Sequence, residues 1–114
     1  MDHPHEAWLS AASEAPADLF RALADPIRRR LMERLVSSPA SAGDLARRMA
    51  IPRVNVSHHL SVLAAAGLID LRQRQAAVKP QALTRLRRYF DLALTTAAIN
   101  RPDPGRPVAH VTQR

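Results

Sequence analysis

The sequence contains no cysteine. Disulfides, thiolate metal sites and a cysteine nucleophile are therefore excluded within these 114 residues. Aromatic side chains make up only 4% of the chain, which leaves little material for the stacking platforms of single-stranded RNA binders. No apolar run approaches the ~20 residues of a membrane span. The start, MDHPHEAW, lacks the basic stretch and apolar core of a signal peptide. These absences point to a cytoplasmic protein without a membrane partner. At this length the chain holds one small domain and no second independent core.

What the chain does have is positive charge, unevenly placed. Residues 1 to 25 hold five acids against one base, whereas residues 26 to 114 hold 16 bases and five acids. So strong a one-signed field predicts a polyanionic partner, because neutralised phosphates release counterions. Sixteen of the 17 bases are arginine. The guanidinium fork suits phosphates and guanine edges, although an arginine and alanine excess also follows from a GC-rich genome.

Proline and polar residues mark residues 1 to 16 and 101 to 114 as flexible tails around a domain at 17 to 100. Inside it, Asp18 is a candidate cap for a short helix carrying Leu19, Phe20 and Leu23. Asp25-Pro26 is a strong helix start, with Asp at the N-cap and Pro in the first turn. The helix it opens stripes Ile27, Leu31 and Leu35, with Arg28, Arg29, Arg30 and Arg34 on other faces. Ser41 opens a second helix as a capping box with Asp44, burying Leu45 and Met49. A tight Ala50-Ile51-Pro52 break follows, then a helix with Val56, Leu60 and Leu63 inward and Gly67 as its terminal cap. Two helices of about nine and 14 residues around a tight turn form a helix-turn-helix pattern.

Beyond Gly67 the period falls to two over Ile69 to Arg72, which reads as the start of a short hairpin. Its tip, RQRQAA, has no glycine or asparagine for a two-residue primed turn, so an irregular or loop-like arginine tip is expected. Pro80 then opens a long amphipathic helix to about Asn100, with Leu83, Leu86, Phe90, Leu94 and Ala97 on one stripe. A second copy of the chain is the simplest cover for that stripe; an intramolecular bundle is the alternative.

The segments LFRALADPIRRRLMERL, SAGDLARRMAIPRVNVSHHLSVLAAAGLI and KPQAL together resemble the ArsR/SmtB family of bacterial winged-helix repressors, over about residues 18 to 98. The resemblance implies a mainly α winged helix-turn-helix with a short β-hairpin. It also implies a homodimer built on the first and last helices, and repression of a promoter that an inducer relieves. Under it, Leu19, Phe20, Leu23, Leu83, Leu86, Phe90, Leu94 and Ala97 are the expected dimer contacts. The family's metal sensors carry a Cys-x-Cys pair on the helix here spelled SAGDLARRM, or Asp and His ligands on the last helix. This chain has neither set, so no metal or other cofactor is expected. His3, His5 and Asp2 of the N-terminal tail are the remaining donor group.

At 100° per residue, the outer face of the second helix of the pair is centred near His58, flanked by Val54, Ser57 and Ser61. Arg53, Asn55, Ser57, His58 and Ser61 are the candidate readers of double-stranded DNA. Arg matches guanine, Asn matches adenine, and Ser or His takes a base edge or a phosphate. Arg72, Arg74 and Lys79 of the hairpin, and Arg47 and Arg48 of the preceding helix, are candidate phosphate contacts. His59 falls on the rim as a partly buried packing residue. An enzyme would need a polar constellation in a concave pocket, and the expected core is Leu, Ile, Val and Ala. The rival is a helical protein-interaction module with an incidental basic face.

Overall fold

Residues 17–101 are described by a computed structural model. The expected tails lie outside the described residues, apart from Arg101 at the domain's edge. Helix α1 (Ala17–Ala22) is short. Asp18 sits inside its first turn and pairs with Arg21 at 2.7 Å rather than capping it. Helix α2 (Pro26–Leu35) starts where Asp25-Pro26 predicts, the Asp25 carboxylate accepting from the Ile27 and Arg28 N–H groups. Helix α3 (Ala42–Met49) is capped by Ser41, whose hydroxyl accepts from the Asp44 N–H. The Asp44 side chain turns to Arg47 instead of completing the box.

Ala50, left-handed at φ 55°, ends α3 and directs the chain into helix α4 (Arg53–Ala65). The far end of α4 is a Schellman closure: Gly67 N–H donates to the Ala64 carbonyl and Leu68 N–H to that of Leu63. Gly67 supplies the positive φ of 87° this requires. Leu68 and Leu63 are both fully buried, which adds the apolar contact that stabilises such an end.

Strands β1 (Ile69–Arg72) and β2 (Gln75–Val78) pair antiparallel, Ile69 opposite Val78 and Arg72 opposite Gln75. The turn is regular, contrary to the irregular tip expected from its residues. Gln73 and Arg74 both take positive φ, 52° and 65°, the pattern of a type I′ turn. Two anchors impose it. Ala40 and Ala76 exchange backbone hydrogen bonds of 3.1 and 2.8 Å, tying the hairpin to the α2–α3 connection. Lys79 N–H then closes the hairpin base onto the Leu68 carbonyl. With the strand register fixed, two non-glycine residues accept a left-handed backbone.

Leu19, Leu31, Leu45, Val56, Leu63, Leu68 and Ile69 make the fully buried centre, and no described polar side chain is buried with them. Helix α5 (Pro80–Asn100) enters this core only through Ala82, with Leu86 packed against it. Farther along, it meets α1 through aromatic rings: Phe20 lies edge-on to Tyr89 and Phe90, at centroid distances of 5.1 and 5.8 Å. The result is a helix-turn-helix with a two-stranded wing and a long terminal helix.

Arg28 ties several of these parts together. Its Nε donates to the Ala22 carbonyl at 2.6 Å, and its Nη1 lies 3.3 Å from His59 Nδ1 on α4. Arg29 donates to the Leu23 carbonyl at 2.8 Å. Two of the arginines that the sequence places on the other faces of this helix therefore close the end of α1, where unsatisfied carbonyls attract cations.

Two predictions follow from this local chemistry. Gln73→Gly removes left-handed strain and is expected to stabilise the domain by about 1 kcal/mol, read as a Tm rise of about 4–8 °C. The second concerns Asp25, whose carboxyl is held below its ordinary value of 3.8. The Arg28 N–H contributes most to that lowering, partial burial opposes it, and the Ile27 N–H and the charge of Arg28 add to it. A lowered folded-state pKa means that this stabilisation is present above 3.8 and is lost as pH falls through the folded value. In acid titrations followed by circular dichroism, Asp25→Ala should begin less stable and lose less stability over that range than the parent.

Candidate nucleic-acid interface

The inner side of α4 decides what its outer side presents. Val56, Leu60 and Leu63 are buried against the core, so the helical period turns Val54, His58 and Ser61 outward with Asn55 and Ser57 at the sides; these five, and Arg53 as the first residue of the helix, are exposed. The first turn of α4 carries no side-chain cap, since Pro52 occupies the N-cap position. Its leading N–H groups are thus open at the positive end of the helix dipole.

The wing folds back toward this face. Arg53, Ser57 and Ser61 of α4 and Arg74 of the wing tip line one open recess of about 290 Å³, with Ala42, Leu60, Leu71 and Ala76 completing it. Four of the ten residues proposed from sequence as DNA contacts are thereby brought together. Asn55, His58 and Arg72 are exposed on the same two elements without lining the recess. Arg47 of α3 is exposed, and its guanidinium and that of Arg53 converge over Gly43, each within 3.9 Å of where a Cβ would stand. Leu71 joins this group unforeseen: strand alternation marks it as apolar, but only the fold places it beside Arg74.

Side-chain partners divide the positive charge into two sets. Arg21, Arg28, Arg29 and Arg47 are tied to Asp18, to backbone carbonyls or to Asp44. Arg53, Arg72 and Arg74 belong to the other set, with no ion pair or side-chain hydrogen bond among the described residues, and share that state with Arg30, Arg34, Arg48, Arg85 and Arg88. His59 departs from a purely packing role. Arginine can only donate, so the 3.3 Å contact with Arg28 requires an unprotonated Nδ1 as acceptor. His58 points away, its ring centroid 5.6 Å from that of His59.

Metal chemistry of the kind the family resemblance implies does not fit these residues. The only acidic or imidazole donor on α3 is Asp44, engaged by Arg47, and the only one on α5 is Asp91, 3.9 Å from Arg87 Nε. No group of three or more such donors forms among the described residues. Asp2, His3 and His5 lie outside the described residues.

The expected dimer residues fall in two layers. Leu83, Phe90, Leu94 and Ala97 are exposed along α5, while Phe20, Leu23 and Leu86 are half-buried. Leu19 differs, at 1% exposure inside the protomer's own core. A six-residue helix gives too little periodicity to separate an inward leucine from an outward neighbour.

A family model described as a helix-turn-helix domain matches residues 23–72, which span α2 to β1. The HTH-type transcriptional regulator Rv2034 of Mycobacterium tuberculosis is 38% identical over 87 residues, covering 73% of this chain and 81% of that protein. A crystal structure of a possible transcriptional regulator for arsenical resistance is 32% identical, with a TM-score of 0.61, over 75% of this chain and 98% of that one. The chain belongs to the ArsR/SmtB family of winged helix-turn-helix transcriptional regulators. The same fold occurs in the homodimeric winged helix-turn-helix DNA-binding domain of a possible ArsR-family regulator from Mycobacterium bovis. That structure matches at TM-score 0.58 and 18% identity over 96% of this chain and 97% of that one. As an ArsR/SmtB member, the protein is a transcriptional regulator with a helix-turn-helix DNA-binding domain. No helix of the described residues is long and apolar enough to cross a membrane.

Proposed function

We propose that the protein is a homodimeric repressor, not an enzyme, that binds an imperfect palindrome in a promoter through α4 and the wing. The observation that carries this reading is the recess where Arg53, Ser57 and Ser61 of α4 meet Arg74 of the wing. The free arginines and the uncapped start of α4 offer one polar, positive face to a duplex. Arg53 and Asn55 enter the major groove at the leading end of α4 and read guanine and adenine, while Ser57, His58 and Ser61 take neighbouring edges or phosphates. Arg72 and Arg74 follow the flanking backbone, and Arg47 joins them from α3 when it leaves Asp44.

Dimerisation is proposed through α1 and α5. The stripe Leu83, Phe90, Leu94 and Ala97 is exposed on the protomer, and the Phe20, Tyr89 and Phe90 rings join the two helices into one apolar surface. Twofold symmetry then presents two recognition helices to half-sites roughly one helical turn apart. Release from the promoter proceeds without a cysteine ligand, since the sequence has none. A small apolar inducer at the aromatic junction suits the side chains found there.

Binding to the preferred duplex is expected to weaken steeply with salt. Arg72→Ala should lower affinity for all duplexes alike and reduce the salt slope by about one unit. Asn55→Ala should instead lose about tenfold in preference at one base position. Equal effects of both on preferred and random DNA would remove Asn55 from the readers. Leu94→Asp, at a position 67% exposed in the protomer, should leave the fold intact by circular dichroism and shift gel filtration from dimer to monomer, with loss of high-affinity DNA binding. A monomeric parent, or a dimer without salt-sensitive DNA affinity, would favour the protein-interaction module.

A further inference from the structure

Val54 is the most exposed large hydrophobic residue of the described chain, at 73%. Most of the others have a place on the proposed dimer surface or around it. Leu83, Phe90, Leu94 and Ile99 lie along α5, and Val36 lines an opening with Leu83. Leu71 faces the recess between α4 and the wing. Val54 alone stands in the first turn of the recognition helix among polar neighbours, with Arg53, Asn55, Ser57 and His58 exposed around it.

Neither folding nor helix formation accounts for valine there. Its side chain contributes nothing to the core, and valine is a weaker helix former than alanine, lysine or glutamate, any of which an exposed helix position accepts. The helical period places Val54 within roughly 30° of the direction opposite the Val56, Leu60 and Leu63 stripe, close to His58 at the centre of the outward face. A surface aimed at DNA offers one apolar group in the major groove, the thymine 5-methyl, and small apolar side chains are its match. Branching at Cβ fixes χ1, so the two methyls of Val54 are already oriented before binding.

We propose that Val54 is a specificity-determining residue that packs on the 5-methyl of a thymine in each half-site. This contact adds a required thymine next to the bases read by Arg53 and Asn55. The inference rests on the proposed DNA-reading role of α4, and the two can fail separately.

The experiment starts with the full-length protein selecting duplexes from a random-sequence pool. Each thymine of the enriched site is then replaced in turn by deoxyuridine, which removes only the methyl group. Loss of one methyl contact is expected to weaken binding about fourfold at one thymine per half-site. Val54→Ala, which retains the fold by circular dichroism, should bind the thymine and deoxyuridine duplexes equally. Val54→Thr, keeping one methyl, should fall between. An enriched site with no methyl-sensitive thymine, or a sensitivity that persists in Val54→Ala, overturns the role of Val54 and leaves the DNA-reading helix standing. Enrichment of no sequence at all overturns the reading of α4, and the Val54 contact with it.

Discussion

The seating of α4 is the constraint on which the rest of the structure depends. Three residues, Val56, Leu60 and Leu63, are removed from water on its inner side, and each such side chain contributes about 1.5–3 kcal/mol on burial. Because they lie on one stripe, they fix the rotation of the helix about its own axis. One step of rotation, about 100°, would bury polar residues and expose leucines. Every outward residue of the candidate DNA surface takes its direction from this inner stripe.

Other elements hold that seat from three sides. α3 packs beside α4 through Leu45, Ala46 and Met49. The Schellman closure at Gly67 turns the chain directly into the wing, so the wing's position is set by where α4 ends. Arg28 reaches from α2 to His59 while holding the last carbonyls of α1. That link joins the recognition helix to the same α1 that meets α5 through Phe20. A change in how α1 and α5 pack would thus have a short physical route to α4 by way of Ala22, Arg28 and His59.

Much of this was legible in the sequence, for identifiable reasons. Asp25-Pro26, Ser41, Gly67 and Pro80 are local signals whose chemistry acts within a few residues, and each marks an element end in the structure. The stripes of α2, α3 and α4 were legible because a helix long enough to show its period reveals its buried face. The wing turn was not. Its positive φ values are imposed by the strand register and by the Ala40–Ala76 bridge that anchors it, and Ala40 lies far from Gln73 and Arg74 in the chain. The roles of Arg28 and Arg29 were hidden for the same reason, since their acceptors lie six residues away across a helix break. In the candidate site, Ser57 and Ser61 follow from the helical period and Arg53 from its place at the start of the helix, but their meeting with Arg74 and Leu71 depends on the fold.

The central claim is that the α4 and wing face of a twofold dimer binds duplex DNA. Hydroxyl-radical footprinting on a selected duplex tests it most directly. The account predicts two protected patches on one face of the DNA, centred roughly one helical turn apart, both lost together in a variant lacking Arg53 and Arg74. A single patch, or uniform weak protection that survives the loss of those two arginines, would contradict it.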